Sequence, residues 1–152
     1  MTTLAEWLAA TTVDAGLAAT VASMAAASVE IAEILHAAPI KGQVGLVGRV
    51  NVQGEEQKQL DIISNDIVVK HLQQNAAVSI LVSEELDEPL QMQNQGRYVI
   101  ATDPLDGSSN LDVNVTVGTI FSVLEAARGL LQQGSAQLAA GYVAYGPATN
   151  LV

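Results

Sequence analysis

The stretch "GRYVIATDPLDGSSN" at residues 96–110 decides the fold, because it joins an apolar strand pattern directly to a turn rich in acids and hydroxyls. The run from Tyr98 to Thr102 is aromatic and β-branched, which is typical of a buried strand. Asp103 and Asp106 follow at once, three positions apart. A solvated turn is satisfied by Pro, Gly and Asn alone, so the two added carboxylates indicate a role beyond turning the chain.

A second segment repeats this arrangement. In "VSILVSEE" at residues 78–85, an apolar strand pattern from Val78 to Val82 ends beside Glu84 and Glu85. Two strands therefore deliver acids at their C-terminal ends. Open α/β sheets hold their ligands at that edge, so we expect the two acidic groups to meet there.

Two helices and further strands surround these segments. The apolar spacing predicts a helix over 14–37, ended by Pro39, and a second over 57–74. The valines and glycines at 41–57 allow either short strands or a partly mobile loop, and we favour the loop. A long strand is predicted from Val113 to Leu124, and at least one more within 136–152. The predicted class is mixed α/β (α+β), with long helices packed on a mixed, largely antiparallel sheet.

Composition and charge restrict the function. The 152 residues suit one domain, and 16 acids against 6 bases give a net charge of −10, which disfavours nucleic acid and anionic membrane as partners. Eleven of the 16 acids lie between Glu55 and Asp112, where divalent cations would relieve their repulsion. The chain has no cysteine, residues 1–16 carry no basic group and are not expected to act as a signal peptide, and Glu30, Glu33 and His36 interrupt the longest apolar run. We expect no membrane span and a cytoplasmic location.

The acids suit a hard cation. Mg²⁺ prefers oxygen ligands, usually one or two carboxylates together with phosphate and water. Asp103 and Asp106 meet this need if the turn aims both inward, and Pro104 stiffens that turn. The carbonyl of Leu105 is then expected in the same space.

The glycine and hydroxyls suit a phosphate. The amides of Gly107, Ser108 and Ser109 can form an anion nest and cap a following helical turn. A phosphate there would lie beside the metal, which makes a phosphoryl-transfer site. Glu84 and Glu85 face opposite ways in an extended strand, so one is available for metal and the other for orienting water. Asp61 lies beside the apolar stripe of its helix, a position that suits a general-base partner.

Simpler interpretations exist for each pattern taken alone. D-P-x-D-G is a common turn, and "SEELDE" at 83–88 reads as a solvated acidic loop. Asp66 is expected on a solvated helix face, and His36 and His71 are expected to pack or cap. Two acidic groups at strand ends, together with one phosphate nest, favour a metal and phosphate site over these simpler interpretations.

These motifs together resemble a known family. An E-E pair followed by D-P-[IL]-D-[GS]-[ST] is the pattern of the lithium-sensitive, magnesium-dependent sugar and inositol phosphatases. "LDIISND" at 60–66, "LVSEE" at 81–85, "DPLDGSSNLDVNVTVGTIFSV" at 103–123 and "AAGYVAYGPATNLV" at 139–152 resemble class I fructose-1,6-bisphosphatase. Inositol monophosphatases more typically read D-P-I-D-G-T. Family members are about twice as long, so residues 1–152 are expected to form the N-terminal domain of the layered sugar-phosphatase fold, without the C-terminal domain.

The resemblance also implies roles for single residues. It implies metal ligation by Glu84, Asp103, Asp106 and the Leu105 carbonyl, and water activation by Glu85 with Asp61. It implies contact with the 1-phosphate through Gly107, Ser108 and Ser109, with Asp106 also near the substrate, and a mobile-loop acid at Glu55. Arg97 and Tyr98 resemble a pair that binds the inhibitor AMP in animal enzymes, but Glu125 stands where an Arg is expected.

The implied activity is hydrolysis of the 1-phosphate of fructose 1,6-bisphosphate, as in gluconeogenesis or the Calvin cycle. It would need two or more Mg²⁺ or Mn²⁺ ions per complete site and the C-terminal half of the enzyme, in cis or in trans, in a homo-oligomer. Two alternatives remain open at this point. One is a truncated, non-catalytic module that binds metal or phosphate, or dimerises; the other is a related sedoheptulose-bisphosphate or inositol phosphatase.

Overall fold

The computed structural model describes residues 2–11, 14–41, 46–50, 56–92, 95–113 and 115–152. The helices are α1 (Leu4–Ala10), α2 (Ala15–Lys41) and α3 (Gln59–Gln73). The strands are β1 (Leu46–Val50), β2 (Glu56–Lys58), β3 (Val78–Ser83), β4 (Leu90–Gln91), β5 (Tyr98–Asp106), β6 (Val117–Glu125), β7 (Ala139–Tyr145) and β8 (Asn150–Leu151). Short 3₁₀ helices cover Ser108–Val113, Ala126–Arg128 and Gly134–Ala136.

Six strands form the central sheet in the order β4-β3-β5-β6-β7-β8. β3 and β5 are parallel, whereas the other neighbouring pairs are antiparallel. The prediction of a mixed, largely antiparallel sheet is therefore confirmed. The short chain reversals between β5, β6, β7 and β8 favour antiparallel pairing, because a parallel return needs a long crossover.

The core lies between the sheet and helices α2 and α3. The predicted stripe of α2 is confirmed, since Met24 and Ile31 are fully buried and Leu17 and Leu35 pack against the core. Alternate residues of β6 and β7 point to the other face, where Ile120 and Tyr142 are about half exposed (47% and 50%). The helices thus cover one face of the sheet, and part of the opposite face is open.

Several predictions of local structure were wrong. The helix predicted over 57–74 begins only at Gln59, because Glu56–Lys58 form β2. α2 does not end before Pro39 but continues to Lys41; a proline disfavours helix at the preceding residue without forbidding it. β1 and β2 form an antiparallel pair where we favoured a loop, so the short-strand alternative holds for those residues. The residues from Ser108 to Val113 form a 3₁₀ helix, so the strand predicted from Val113 begins only at Val117.

The sequence led us to expect that polar residues make α2 too polar to span a membrane, and this was wrong. By length and composition alone, α2 contains a segment that is long and apolar enough to do so. The segment Ala15–Ala37 has a mean hydropathy of 1.5, and 33% of its most apolar part is buried. A helix that covers a sheet in a soluble domain has the same composition on its packed face. The buried residues Met24, Ala27 and Ile31 lie on that face.

Candidate active site

The parallel pair β3 and β5 brings the two acidic groups to one edge of the sheet. Ser83 lies opposite Thr102 in the register, and the Glu84 amide donates to the Thr102 carbonyl at 3.0 Å. Asp103 is the next residue after Thr102. The backbone pairing therefore sets Glu84 beside Asp103, as predicted. The predicted end of the second strand at Thr102 is wrong, because β5 continues to Asp106.

A β-bulge shapes the turn that carries the two aspartates. Asp103 pairs with Ile120 and Asp106 pairs with Gly118, so β5 holds one more residue than β6 over this interval. Pro104 has no N–H to donate to the ladder, which makes a regular strand impossible there. The Leu105 amide instead donates to Asp103 Oδ1 at 3.0 Å. This bond closes an Asx turn that fixes one oxygen of the Asp103 carboxylate.

The pKa of Asp103 reflects the burial and the charges around this site. Burial, together with the nearby carboxylates of Asp106, Glu85 and Asp61, raises the pKa of Asp103 to about 6, against the opposing effect of the Leu105 amide. The charged groups that act on Asp103 are thus all acids from three different segments. Since like charges so close destabilise one another, the arrangement favours a bound cation.

Asp61 reaches this region from α3. It lies in the first turn of the helix and is buried, with 2% of its surface exposed. Its placement beside the apolar stripe, and not on the solvated face, agrees with the sequence prediction. Asp66 in the same helix is exposed, also as predicted. α3 therefore presents one of its two acids to the other carboxylates and the second to water.

The chain after β3 is held by a polar contact that the sequence did not predict. The Ser83 hydroxyl donates to Asn65 Oδ1 at 2.7 Å and accepts from the Glu85 amide at 3.3 Å. Ser83 and Asn65 are both buried. Polar residues at otherwise apolar positions of "LVSEE" and "LDIISND" were the available signal, but only the packing of α3 against β3 shows that they are partners.

The predicted phosphate nest has the expected backbone shape. Gly107 has a φ of +77°, in the left-handed region, and the 3₁₀ helix begins at Ser108. The Asn110 amide donates to the Gly107 carbonyl at 2.8 Å. The first amides of such a helix point away from it and can bind an anion. Gly107, Ser108 and Ser109 thus lie directly beside Asp106.

The oxygen atoms available at this site suit a divalent cation, although the side chains that carry them are not grouped closely enough to surround one. Carboxylate oxygens and a backbone carbonyl are the ligands that hard cations prefer. Among the described residues, no three His, Cys, Asp or Glu side chains are close enough to hold an ion unaided. Glu84, Asp103 and Asp106 would hold the ion with the Leu105 carbonyl, and the raised pKa of Asp103 is the observation that favours it. Glu55 lies outside the described residues.

A cavity of about 970 Å³ extends from Glu84 and Asp103 across the open face of the sheet. Ile120, Ser122 and Tyr142 line its floor. Its volume lies in the range of small-molecule sites. The two acids therefore lie at the edge of the open face of the sheet.

Residues 5–152 match the family described as "Fructose-1-6-bisphosphatase, N-terminal domain". The chain belongs to the fructose-1,6-bisphosphatase family. This membership confirms the resemblance read from the motifs, and it implies a divalent metal cation. The relatives named class 1 fructose-1,6-bisphosphatase include a Neisseria meningitidis protein that is 48% identical over 136 residues, or 86% of this chain and 42% of the relative. One from Shewanella amazonensis is 43% identical, with 99% of this chain and 49% of the relative covered.

Solved structures agree with the family and the fold. The crystal structure of Leishmania major fructose-1,6-bisphosphatase in holo form matches with a TM-score of 0.91 at 31% identity, covering 99% of this chain and 51% of that one. A Toxoplasma gondii structure assigned as a sedoheptulose-1,7 bisphosphatase matches with a TM-score of 0.81 at 29% identity, covering 98% and 48%. The chain spans about half the length of these relatives.

Proposed function

We propose that this chain supplies the metal and 1-phosphate half of a fructose-1,6-bisphosphatase, which hydrolyses fructose 1,6-bisphosphate to fructose 6-phosphate and phosphate. The observation that carries the proposal is the backbone pairing that sets Glu84 beside Asp103, with Asp61, Glu85 and Asp106 acting on the same carboxylate. Family membership supports the reaction, and the phosphate nest after Asp106 supports the substrate class.

Each acid has a separate proposed role. Glu84, Asp103, Asp106 and the Leu105 carbonyl would hold Mg²⁺ or Mn²⁺, two or more ions in the complete site. When bound, the cations neutralise the charge on the transferred phosphoryl group. Glu85 together with Asp61 would orient the attacking water and accept its proton. The amides of Gly107, Ser108 and Ser109 would hold the 1-phosphate, with Asp106 beside it.

The remaining half of the site is proposed to come from a C-terminal half, in cis or in trans. The family resemblance implies that this half carries a further metal ligand and the groups that bind the sugar and the 6-phosphate. The open sheet face with Ile120 and Tyr142 is available for a second layer. We propose cytoplasmic carbohydrate metabolism and a homo-oligomer as the setting, in which the acidic surface disfavours nucleic acid and membrane as partners.

The test is phosphate release from fructose 1,6-bisphosphate with Mg²⁺, by the chain alone and after co-expression with the second half of the Neisseria relative. We expect release in the second case and its loss in Asp106→Ala. Asp66→Ala is the matched control, because it removes an exposed acid of α3 that lies away from the site. Near-normal turnover by Asp106→Ala would contradict the assigned roles.

The same assay separates the two alternatives. The Toxoplasma gondii neighbour favours including sedoheptulose 1,7-bisphosphate as a second substrate. Faster release from that substrate would change the substrate and keep the site. No release in any combination, with metal binding retained, would instead support a non-catalytic binding module.

A further inference from the structure

The peptide unit between Pro104 and Leu105 is held at both of its ends. Its carbonyl accepts a hydrogen bond from Thr119 Oγ1 at 2.8 Å, and its N–H donates to Asp103 Oδ1 at 3.0 Å. A peptide unit is planar, so any rotation that moves one of these groups moves the other. The orientation of the Asp103 carboxylate therefore depends on where the Pro104 carbonyl is held.

Thr119 lies in β6 directly across the bulge. Its neighbours Gly118 and Ile120 pair with Asp106 and Asp103, the two acids of the turn. The ladder is interrupted between those pairs, because β5 carries an extra residue and Pro104 cannot donate. The Thr119 hydroxyl supplies a hydrogen bond where the backbone ladder is broken. The side chain is fully buried (0% exposed), so water does not compete with this bond.

The direction of the hydrogen bonds can be assigned. A carbonyl only accepts, so Thr119 gives its single hydroxyl proton to the Pro104 carbonyl. The Tyr145 hydroxyl lies 2.6 Å from Thr119 Oγ1 and must then be the donor in that pair. Burial raises the pKa of Tyr145, which keeps the phenol protonated and able to donate. The Tyr145 hydroxyl thus donates to Thr119, and the Thr119 hydroxyl donates to the Pro104 carbonyl.

The same hydroxyls connect the turn to helix α2. Tyr145 also interacts with the side chain of Ser28, which is buried and bonded to the Met24 carbonyl at 2.8 Å. Three buried hydroxyls, one each from α2, β7 and β6, therefore lie together between the long helix and the acid-bearing turn, and the phenol proton of Tyr145 serves the contact with Thr119.

We infer that Thr119 is a positioning residue for the metal site, whose hydroxyl fixes the Pro104–Leu105 peptide and through it the carboxylate of Asp103, with Tyr145 supporting it. This inference rests on the proposed metal role of Asp103 but not on any particular substrate. Thr119 is not itself a ligand. Removing its hydroxyl leaves the Pro104 carbonyl buried without its donor, so the turn should rearrange.

The first measurement is Mn²⁺ affinity of the purified chain by electron paramagnetic resonance. Thr119→Val removes the hydroxyl at nearly constant shape, and Thr119→Ser keeps it. Since loss of a partner behind a ligand typically weakens metal binding 10- to 100-fold, we expect about a tenfold loss for Thr119→Val and little change for Thr119→Ser. Thr20→Val is the matched control, because Thr20 is equally buried and its hydroxyl bonds only within α2, to the Gly16 carbonyl at 2.8 Å.

A second measurement uses the metal-free chain. Amide hydrogen exchange at Leu105 reports the bond to Asp103 directly, and we expect it to accelerate about tenfold in Thr119→Val but not in Thr119→Ser or Thr20→Val. If Thr119→Val does not fold, Tyr145→Phe removes the donor to Thr119 and should give a smaller change of the same sign. Unchanged Leu105 exchange, or unchanged Mn²⁺ affinity, in a folded variant without the hydroxyl would overturn the inference. If the chain alone binds no Mn²⁺, the affinities are compared after co-expression with the second half of the Neisseria relative. Failure of that assembly to bind Mn²⁺ would count against the proposed function, while the exchange result would still decide whether Thr119 holds the turn.

Discussion

Ser83 and Thr102 lie opposite each other in the parallel pair of β3 and β5, and this relationship places two acidic segments side by side. The pairing of the two strands ends there, so Glu84 and Asp103 follow at neighbouring positions, although β5 itself continues beside β6 to Asp106. A shift of one residue in the register would turn the side chains of one strand to the opposite face. The candidate site therefore depends on the packing that fixes this register, including the bond from Ser83 to Asn65.

Metal binding should weaken in acid because of Asp103. Its pKa is raised to about 6, chiefly by burial, so below that pH the group is protonated and must lose its proton to bind a cation. We expect Mn²⁺ affinity to fall about tenfold for each pH unit below the pKa, with proton release on binding. Calorimetry in buffers of different ionisation enthalpy measures both. Affinity that is constant from pH 5 to pH 7 would contradict this prediction.

The same shift should appear in the stability of the metal-free chain. The folded pKa of Asp103 lies above its ordinary value of 3.8, so the folded state holds this proton more tightly than the unfolded state. The free energy of unfolding is therefore highest with respect to this group at low pH and falls as the pH rises towards 6. Asp103→Asn cannot ionise and keeps an oxygen to accept from the Leu105 amide. We expect it to be more stable than the unsubstituted chain by about 1 kcal/mol at pH 7 without metal, after allowance for solvent screening.

Urea unfolding at pH 4 and pH 7 checks this difference. The advantage of Asp103→Asn should become small near pH 4 and vanish near about pH 3, where Asp103 is largely protonated in both the folded and the unfolded state. Added Mg²⁺ should stabilise the unsubstituted chain more than the variant, because only the former keeps the carboxylate ligand. Equal stability of the two proteins at pH 7 would contradict the prediction.

Replacement of Gly107 by alanine should distort the phosphate nest. Gly107 has a φ of +77°, which an L side chain adopts at a cost of about 1–2 kcal/mol. Gly134→Ala is the control, because a Cβ there meets nothing within 4 Å and that glycine is not in the left-handed region. Denaturant unfolding measures the loss of stability. An equal effect of both substitutions would show that the backbone shape at Gly107 is not required.

AMP is not expected to inhibit the complete enzyme. Arg97 donates to both carboxylate oxygens of Glu125, at 2.9 and 3.2 Å, and its guanidinium lies 3.6 Å from Asp14. The positive charge that could bind a phosphate is thus shared with two acids. Phosphate release in the presence of AMP tests this, with Glu125→Gln as the variant that removes one opposing charge. Inhibition of the unsubstituted protein by AMP would contradict the prediction.

Local sequence patterns were sufficient where a short segment determines its own structure. The apolar stripe of α2, the strands at Val78 and Tyr98, and the turn of Asp103 and Asp106 follow from periodicity and from the geometry of proline and glycine. The pattern failed at Val113, where alternating valines resemble a strand. There the Ser108–Val113 segment forms a 3₁₀ helix, since hydroxyl and amide side chains favour turns over a ladder.

Other features depend on contacts between distant segments. No local pattern of sequence pairs Asn65 with Ser83, or Thr119 with the Pro104 carbonyl, because those partners are 18 and 15 residues apart and meet only when helix and strands pack. The pKa of Asp103 likewise results from burial and from three acids, namely Asp106 at the end of β5, Glu85 after β3 and Asp61 in α3. The sequence by itself determined the two long helices, the main strands of the central sheet and which types of metal-ligating residue the chain carries. Only the tertiary structure decided which groups are buried together, because desolvation and charge repulsion act through space and not along the chain.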